Sequence, residues 1–60
     1  MIVGIKVFEG QSREKKKEVS KKITEAINDV MGVPKEVIWV VWQDINPGEW
    51  AVGGKMCDEK

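Results

Sequence analysis

A chain of 60 residues carrying ten basic and ten acidic side chains, with no net charge, lacks the strongly basic footprint of a nucleic-acid binder. One cysteine, Cys57, and no histidine exclude an intrachain disulfide and leave too few ligands for a structural zinc site. A lone chain of this size buries only about 60% of the surface its unfolded form exposes, so self-association is the expected route to stability.

Ile2 to Phe8 is short, apolar and rich in β-branched residues, with Lys6 as its main polar interruption, and reads as a largely buried strand. Glu9-Gly10-Gln11 is a turn. Ser12 is placed to cap a helix, and Glu14 falls in its first turn, where the helix dipole favours a carboxylate. Val19, Ile23, Ala26, Ile27, Val30 and Met31 recur at helical spacing and predict one apolar stripe. Gly32 can take the left-handed position that ends a helix, and Pro34 prevents its resumption. The predicted helix therefore runs from Arg13 to Met31.

Val37 to Gln43 is the second expected strand, nearly all β-branched or tryptophan. Asn46-Pro47-Gly48 is a turn signal. Trp50-Ala51-Val52 is a short extended piece, Gly53-Gly54 a flexible joint, and Lys55 to Lys60 a polar tail. A strand, a long helix and a second strand predict a parallel pair joined by a right-handed crossover, an α/β (α+β) single domain over residues 1–60. Both strands are too apolar for a half-exposed two-stranded sheet, so partner subunits are expected to cover them.

No apolar run approaches the roughly 20 residues of a membrane span, and no signal segment precedes the first strand. With one free cysteine, this reads as a cytoplasmic protein with no membrane partner. Lys15-Lys16-Lys17 and Lys21-Lys22 spread around the polar side of the helix, with Glu18–Lys22 and Lys21–Glu25 at pairing distance. A solvated face, with no nucleic-acid partner, is the reading. Trp39 and Trp42, three apart on a strand, point to opposite faces.

Chemistry has few places to sit. Without histidine the usual base near neutrality is missing, and the serines and threonine have no triad partner. Cys57 lies beside Asp58 and Glu59, a setting that does not activate a thiol. The α-amine at Met1 remains. Amines of this kind titrate near neutrality in model peptides, which suits a general base, and the strand that follows would hold it in a fixed place.

The opening Ile5-Lys6-Val7-Phe8-Glu9-Gly10-Gln11-Ser12, the lysine-rich helix with Thr24-Glu25-Ala26-Ile27, then Gly32-Val33-Pro34 and Trp50-Ala51-Val52-Gly53-Gly54-Lys55 resemble the 4-oxalocrotonate tautomerase family. The likeness runs without a gap over almost the whole chain. It implies a β-α-β subunit with a short C-terminal hairpin, sheet sharing between two subunits, and a homohexamer built as a trimer of dimers. It also implies an isomerase that moves protons between carbon and oxygen of enols and 2-oxo acids. No metal and no other cofactor take part.

By that resemblance Met1 occupies the slot of the family's catalytic amino-terminal proline. Ile2 is too bulky for the initiator methionine to be removed, so Met1 is expected to stay and its primary amine to be the base. Gln11 and Trp39 stand where the family carries two substrate-binding arginines, and Trp50 keeps the shielding aromatic, with Phe8 on the same wall. The implied substrate is a small enol or 2-oxo acid, less charged and more aromatic than a dicarboxylate, such as an arylpyruvate enol. The loss of the proline and both arginines also admits another reading, a non-catalytic subunit assembled around a proline-bearing paralogous chain. A third reading is that the start is engineered or misassigned, in which case Met1 says nothing of the natural enzyme while Gln11 and Trp39 still do.

Overall fold

The computed structural model describes residues 1–59. Strand β1 (Ile2–Phe8) and helix α1 (Arg13–Met31) have the expected limits. At the start of the helix, Ser12 has extended backbone angles and its hydroxyl accepts the Lys15 N–H at 3.2 Å, satisfying one of the amides the first turn leaves free. At the other end Gly32, at φ 70°, returns its N–H to the Asn28 carbonyl. The Asn28 side-chain amide then donates to the Val33 carbonyl at 2.8 Å, which steers the chain back toward the sheet.

The second strand, β2 (Trp39–Ile45), is displaced from the expected Val37–Gln43 by two residues at each end. After Pro34, Lys35–Val37 closes a single 3-10 turn, in which Val37 N–H donates to the Pro34 carbonyl and Ile38 N–H to that of Lys35, each at 3.1 Å. Those amides are spent on the turn. The first bond to β1 therefore comes from Trp39, whose N–H reaches the Met1 carbonyl at 2.8 Å. Pairing then continues past Gln43, because Glu9 N–H still donates to the Ile45 carbonyl at 3.1 Å.

The two strands are parallel, with Ile2 opposite Trp39, Ile5 opposite Trp42 and Phe8 opposite Ile45. A second 3-10 turn, Pro47–Glu49, leads into an antiparallel hairpin of β3 (Ala51–Val52) and β4 (Lys55–Met56). The start of the expected polar tail is thus a strand, turned by Gly53 and Gly54 at φ 62° and 83°, angles that favour glycine in a tight hairpin. Lys60, the last tail residue, lies outside the described residues.

The helix covers one face of β1 and β2. Val3, Ile5, Val7, Val40 and Trp42 are half-buried beneath Ser20, Ile23, Thr24 and Ile27. Trp42 and Trp39 do point to opposite faces: Trp42 donates its indole N–H to the Ser20 hydroxyl at 2.8 Å, while Trp39 is 61% exposed on the open side. Among the described residues, Ile38 is the one buried hydrophobic side chain. The expected single apolar stripe of α1 divides. Ile23 and Ile27 face the sheet, whereas Val19, Ala26 and Val30 lie along one exposed flank.

The accessible surface is 4935 Å². A compact monomer of 6.8 kDa would expose roughly 3,950 Å². The Cα radius of gyration is 14.6 Å, against about 10 Å for a compact chain of this length. The difference of about 1,000 Å² is close to what one standard protein interface removes from each partner.

Candidate active site

The parallel register decides which of the candidate residues meet. At the entry to the sheet, the Met1 α-amine donates to the Val37 carbonyl at 2.7 Å, and the Met1 carbonyl receives the Trp39 N–H. Met1 and Trp39 are therefore brought together by backbone bonds on both sides of the Met1 residue. Both side chains are exposed, at 47% and 61%.

At the other end, Phe8 and Trp50 form a tilted ring pair, with centroids 4.2 Å apart and planes at 42°. Trp50 is held there by its own backbone. Its N–H donates to the Pro47 carbonyl and its carbonyl accepts the Cys57 N–H, at 3.3 and 2.8 Å, so the 3-10 turn and the hairpin clamp it from either side. Asn46, which caps that turn by accepting the Gly48 N–H at 2.8 Å, also donates to the Glu9 carboxylate at 3.0 Å. The loop after β2 is thereby tied to the loop after β1.

Gln11 belongs to this second end, but to the helix side of the sheet. It lines a hollow of about 220 Å³ with Val7, Lys15, Lys16, Val19 and Trp42. Phe8, one residue on from Val7, points to the open side by strand alternation. Six residue steps separate Ile2 from Phe8, a span of about 20 Å in a parallel strand. Within one chain, Met1 with Trp39 and Phe8 with Trp50 and Gln11 stand at opposite ends of β1.

Neighbouring charges are largely self-contained. The Lys16 ammonium contacts the Asp44 carboxylate and lies 6.0 Å from the centre of the Trp42 ring, so its charge is satisfied under the helix. Lys22 and Glu18 make the expected i,i+4 pair at 3.5 Å. Lys21 and Glu25 do not form an ion pair. Among the described residues, no cluster of three or more histidine, cysteine, aspartate or glutamate side chains could hold a metal ion, and no helix is long and apolar enough to cross a membrane.

Ser20 and Asp44 are neighbours of the site that sequence reasoning did not single out, and Lys16, expected on a solvated face, is instead half-buried against Asp44. The alternation that sends Trp42 inward was the available signal for Ser20 and Lys16, since both sit on the turn of α1 above it.

The sequence of residues 2–60 matches the family described as "Tautomerase enzyme". The chain belongs to the tautomerase family. Among curated tautomerases, a probable tautomerase of Bacillus cereus is 36% identical over 58 residues, covering 97% of this chain and 95% of the relative. Solved tautomerase structures share the fold throughout. YwhB, a homologue of 4-oxalocrotonate tautomerase, superposes with a TM-score of 0.92 at 31% identity over the full length of both chains. A 4-oxalocrotonate tautomerase isozyme from Methylibium petroleiphilum does so with a TM-score of 0.85 at 32% identity, covering 95% of this chain and 92% of its own. Tautomerase membership carries the coarse activity, an isomerase of the tautomerase kind.

Proposed function

We propose that this tautomerase catalyses enol–keto proton transfer on a small 2-oxo acid type substrate, in a site shared between copies of the chain. The separation of Met1 and Trp39 from Phe8, Gln11 and Trp50 along β1 carries this reading. A free edge of β1 favours antiparallel pairing with a second copy. A two-fold axis through the middle of β1 would set the second copy's Met1 at the level of Phe8 to Gly10. The exposed Val19–Ala26–Val30 flank overhangs the same edge, since Val19 and Val7 line one hollow. Residues Lys21, Thr24 and Glu25 instead share a hollow with Ile38 and Val40 at the β2 side. Two copies would then share a four-stranded sheet with helices side by side, and three such pairs would make the hexamer.

In that site the Met1 amine, unprotonated, takes the proton from the enol hydroxyl. The oxygen becomes a carbonyl as the carbon–carbon π electrons take up a proton at the neighbouring carbon, delivered by the same amine. The sum is a proton moved from oxygen to carbon, with no change of oxidation state. Trp39, Phe8 and Trp50 provide apolar walls that exclude water, and Gln11 provides a neutral hydrogen-bond donor. A primary amine lacks the rigidity of a pyrrolidine, so the expected activity is weak. The setting is the cytoplasm.

The replacement of charged clamps by Gln11 and Trp39 supports a second reading, a structural subunit that completes the site of a proline-bearing paralogous chain. Ultraviolet-monitored ketonisation of phenylenolpyruvate and 2-hydroxymuconate by the purified oligomer decides between them. Turnover of either enol above background, lost on blocking the α-amine, supports the isomerase. Background rates on both substrates, from a correctly assembled oligomer, would reject it in favour of the structural subunit.

A further inference from the structure

The hollow beside Gln11 shares apolar walls and a lysine with the hollow of Gly4, Ile5, Lys6, Val41 and Gln43. That one lies at mid-strand, whereas the Gln11 hollow lies at the end of β1 to which a second copy's Met1 would come. Its walls are Val7, Val19 and the Trp42 ring, and its rim carries Gln11, Lys15 and Lys16, with no carboxylate among the lining residues. The nearby cleft on the sheet edge is lined by Glu9, Asp44 and Glu49 and would repel an anion. Of the two rim lysines, Lys16 has its charge taken by Asp44. Lys15 has no ion-pair partner among the described residues, and the Gln11 side chain makes no hydrogen bond among them. Arg13, the only arginine of the chain, does not line the hollow.

We infer that Lys15, with the Gln11 amide beside it, is the residue that binds the substrate's single carboxylate. The inference rests on the shared-site reading above, because the same pairing of β1 edges brings the second copy's Met1 to this end of the strand. A free ammonium on a flexible stem supplies the charge that Gln11 lacks, and Val7, Val19 and Trp42 shield the carboxylate end from water. One ammonium and one amide suit a monocarboxylate. They give no second cation for a dicarboxylate. Lys15 thus sets specificity and takes no part in the proton transfer.

The test uses the full chain with Lys15→Gln and Lys15→Arg. Lys15 is exposed and its side chain makes no hydrogen bond or ion pair among the described residues, so both variants should assemble like the parent. On phenylenolpyruvate, Lys15→Gln should raise KM about tenfold with kcat held within about twofold, and Lys15→Arg should restore KM. The carboxylate-free enol of phenylacetaldehyde should be ketonised equally by all three. Binding is read separately by titrating phenylacetate against tryptophan fluorescence, where Lys15→Gln should weaken affinity by a similar factor. An unchanged KM and an unchanged phenylacetate affinity in Lys15→Gln would overturn the assignment, as would equal losses on both enols. Lys15-dependent binding without any turnover would instead reject the isomerase reading and leave the carboxylate site standing. Neither binding nor turnover in the parent protein would overturn both.

Discussion

The N–H of Trp39 donates to the carbonyl of Met1 at 2.8 Å, and this first bond of the sheet puts an exposed indole beside the chain's α-amine. The neighbourhood is fixed by backbone. Exchanging the Trp39 side chain should therefore change what the amine faces without moving it.

Trp39→Arg is expected to shift the preference from phenylenolpyruvate toward 2-hydroxymuconate. A guanidinium restores one bidentate partner for a second carboxylate. The ratio of the two kcat/KM values should move by about tenfold or more, equivalent to about 1.4 kcal/mol in the transition state. An unchanged ratio would remove Trp39 from the site.

The nature of the amine is tested at Met1 itself. Acetylation of the α-amine should abolish ketonisation, because an amide nitrogen is not a base. Met1→Pro, made so that proline is the first residue, should raise kcat by about tenfold or more through the rigidity of the ring. Full activity in the acetylated protein would exclude the amine as base.

Assembly is expected to depend on the flank of α1 that one chain leaves uncovered. Val30 is 81% exposed, and in an isolated subunit Val30→Asp would change stability by less than about 0.5 kcal/mol. In an oligomer joined along that flank, the same change should lower the assembly state seen in sedimentation velocity and lower the thermal midpoint at equal protein concentration. A wild-type chain that sediments as a monomer at micromolar concentration would contradict the shared site.

The indole of Trp42 is bonded to Ser20 at 2.8 Å in a half-buried setting. Trp42→Phe keeps the ring against the helix but removes the donor, and should cost about 1 kcal/mol. A double-mutant cycle with Ser20→Ala, read by chemical denaturation of the assembled protein, should return a coupling above about 0.5 kcal/mol. Strict additivity would mean that the bond contributes nothing to stability.

The helix cap offers a control that leaves the Lys15 side chain in place. Ser12→Ala removes the acceptor for the Lys15 N–H and is expected to cost about 1 kcal/mol of stability. KM for phenylenolpyruvate should be unchanged, in contrast to Lys15→Gln.

Local chemistry in the sequence determined β1, α1 and its two ends. The Ser12 cap, the Gly32 stop and the strand alternation that separates Trp39 from Trp42 each act within a few residues and leave a mark in the order of side chains. The limits of β2 were not determined that way. Val37 and Ile38 look like strand, but the 3-10 turn after Pro34 takes their amides, and only the pairing to β1 shows that the ladder starts at Trp39 and reaches Ile45. The pairing of Lys55–Met56 with β3 depended in the same way on the turn at Gly53-Gly54. The likeness to tautomerases named Met1, Gln11, Trp39, Trp50 and Phe8. Tertiary structure decided that they fall into two groups at opposite ends of one strand, because a parallel register fixes distances that composition and spacing do not carry. It also decided which charges are free. Lys15 and Lys16 are adjacent and identical in the sequence, yet Asp44 on β2 neutralises only Lys16, and that difference exists only once the helix lies across the sheet.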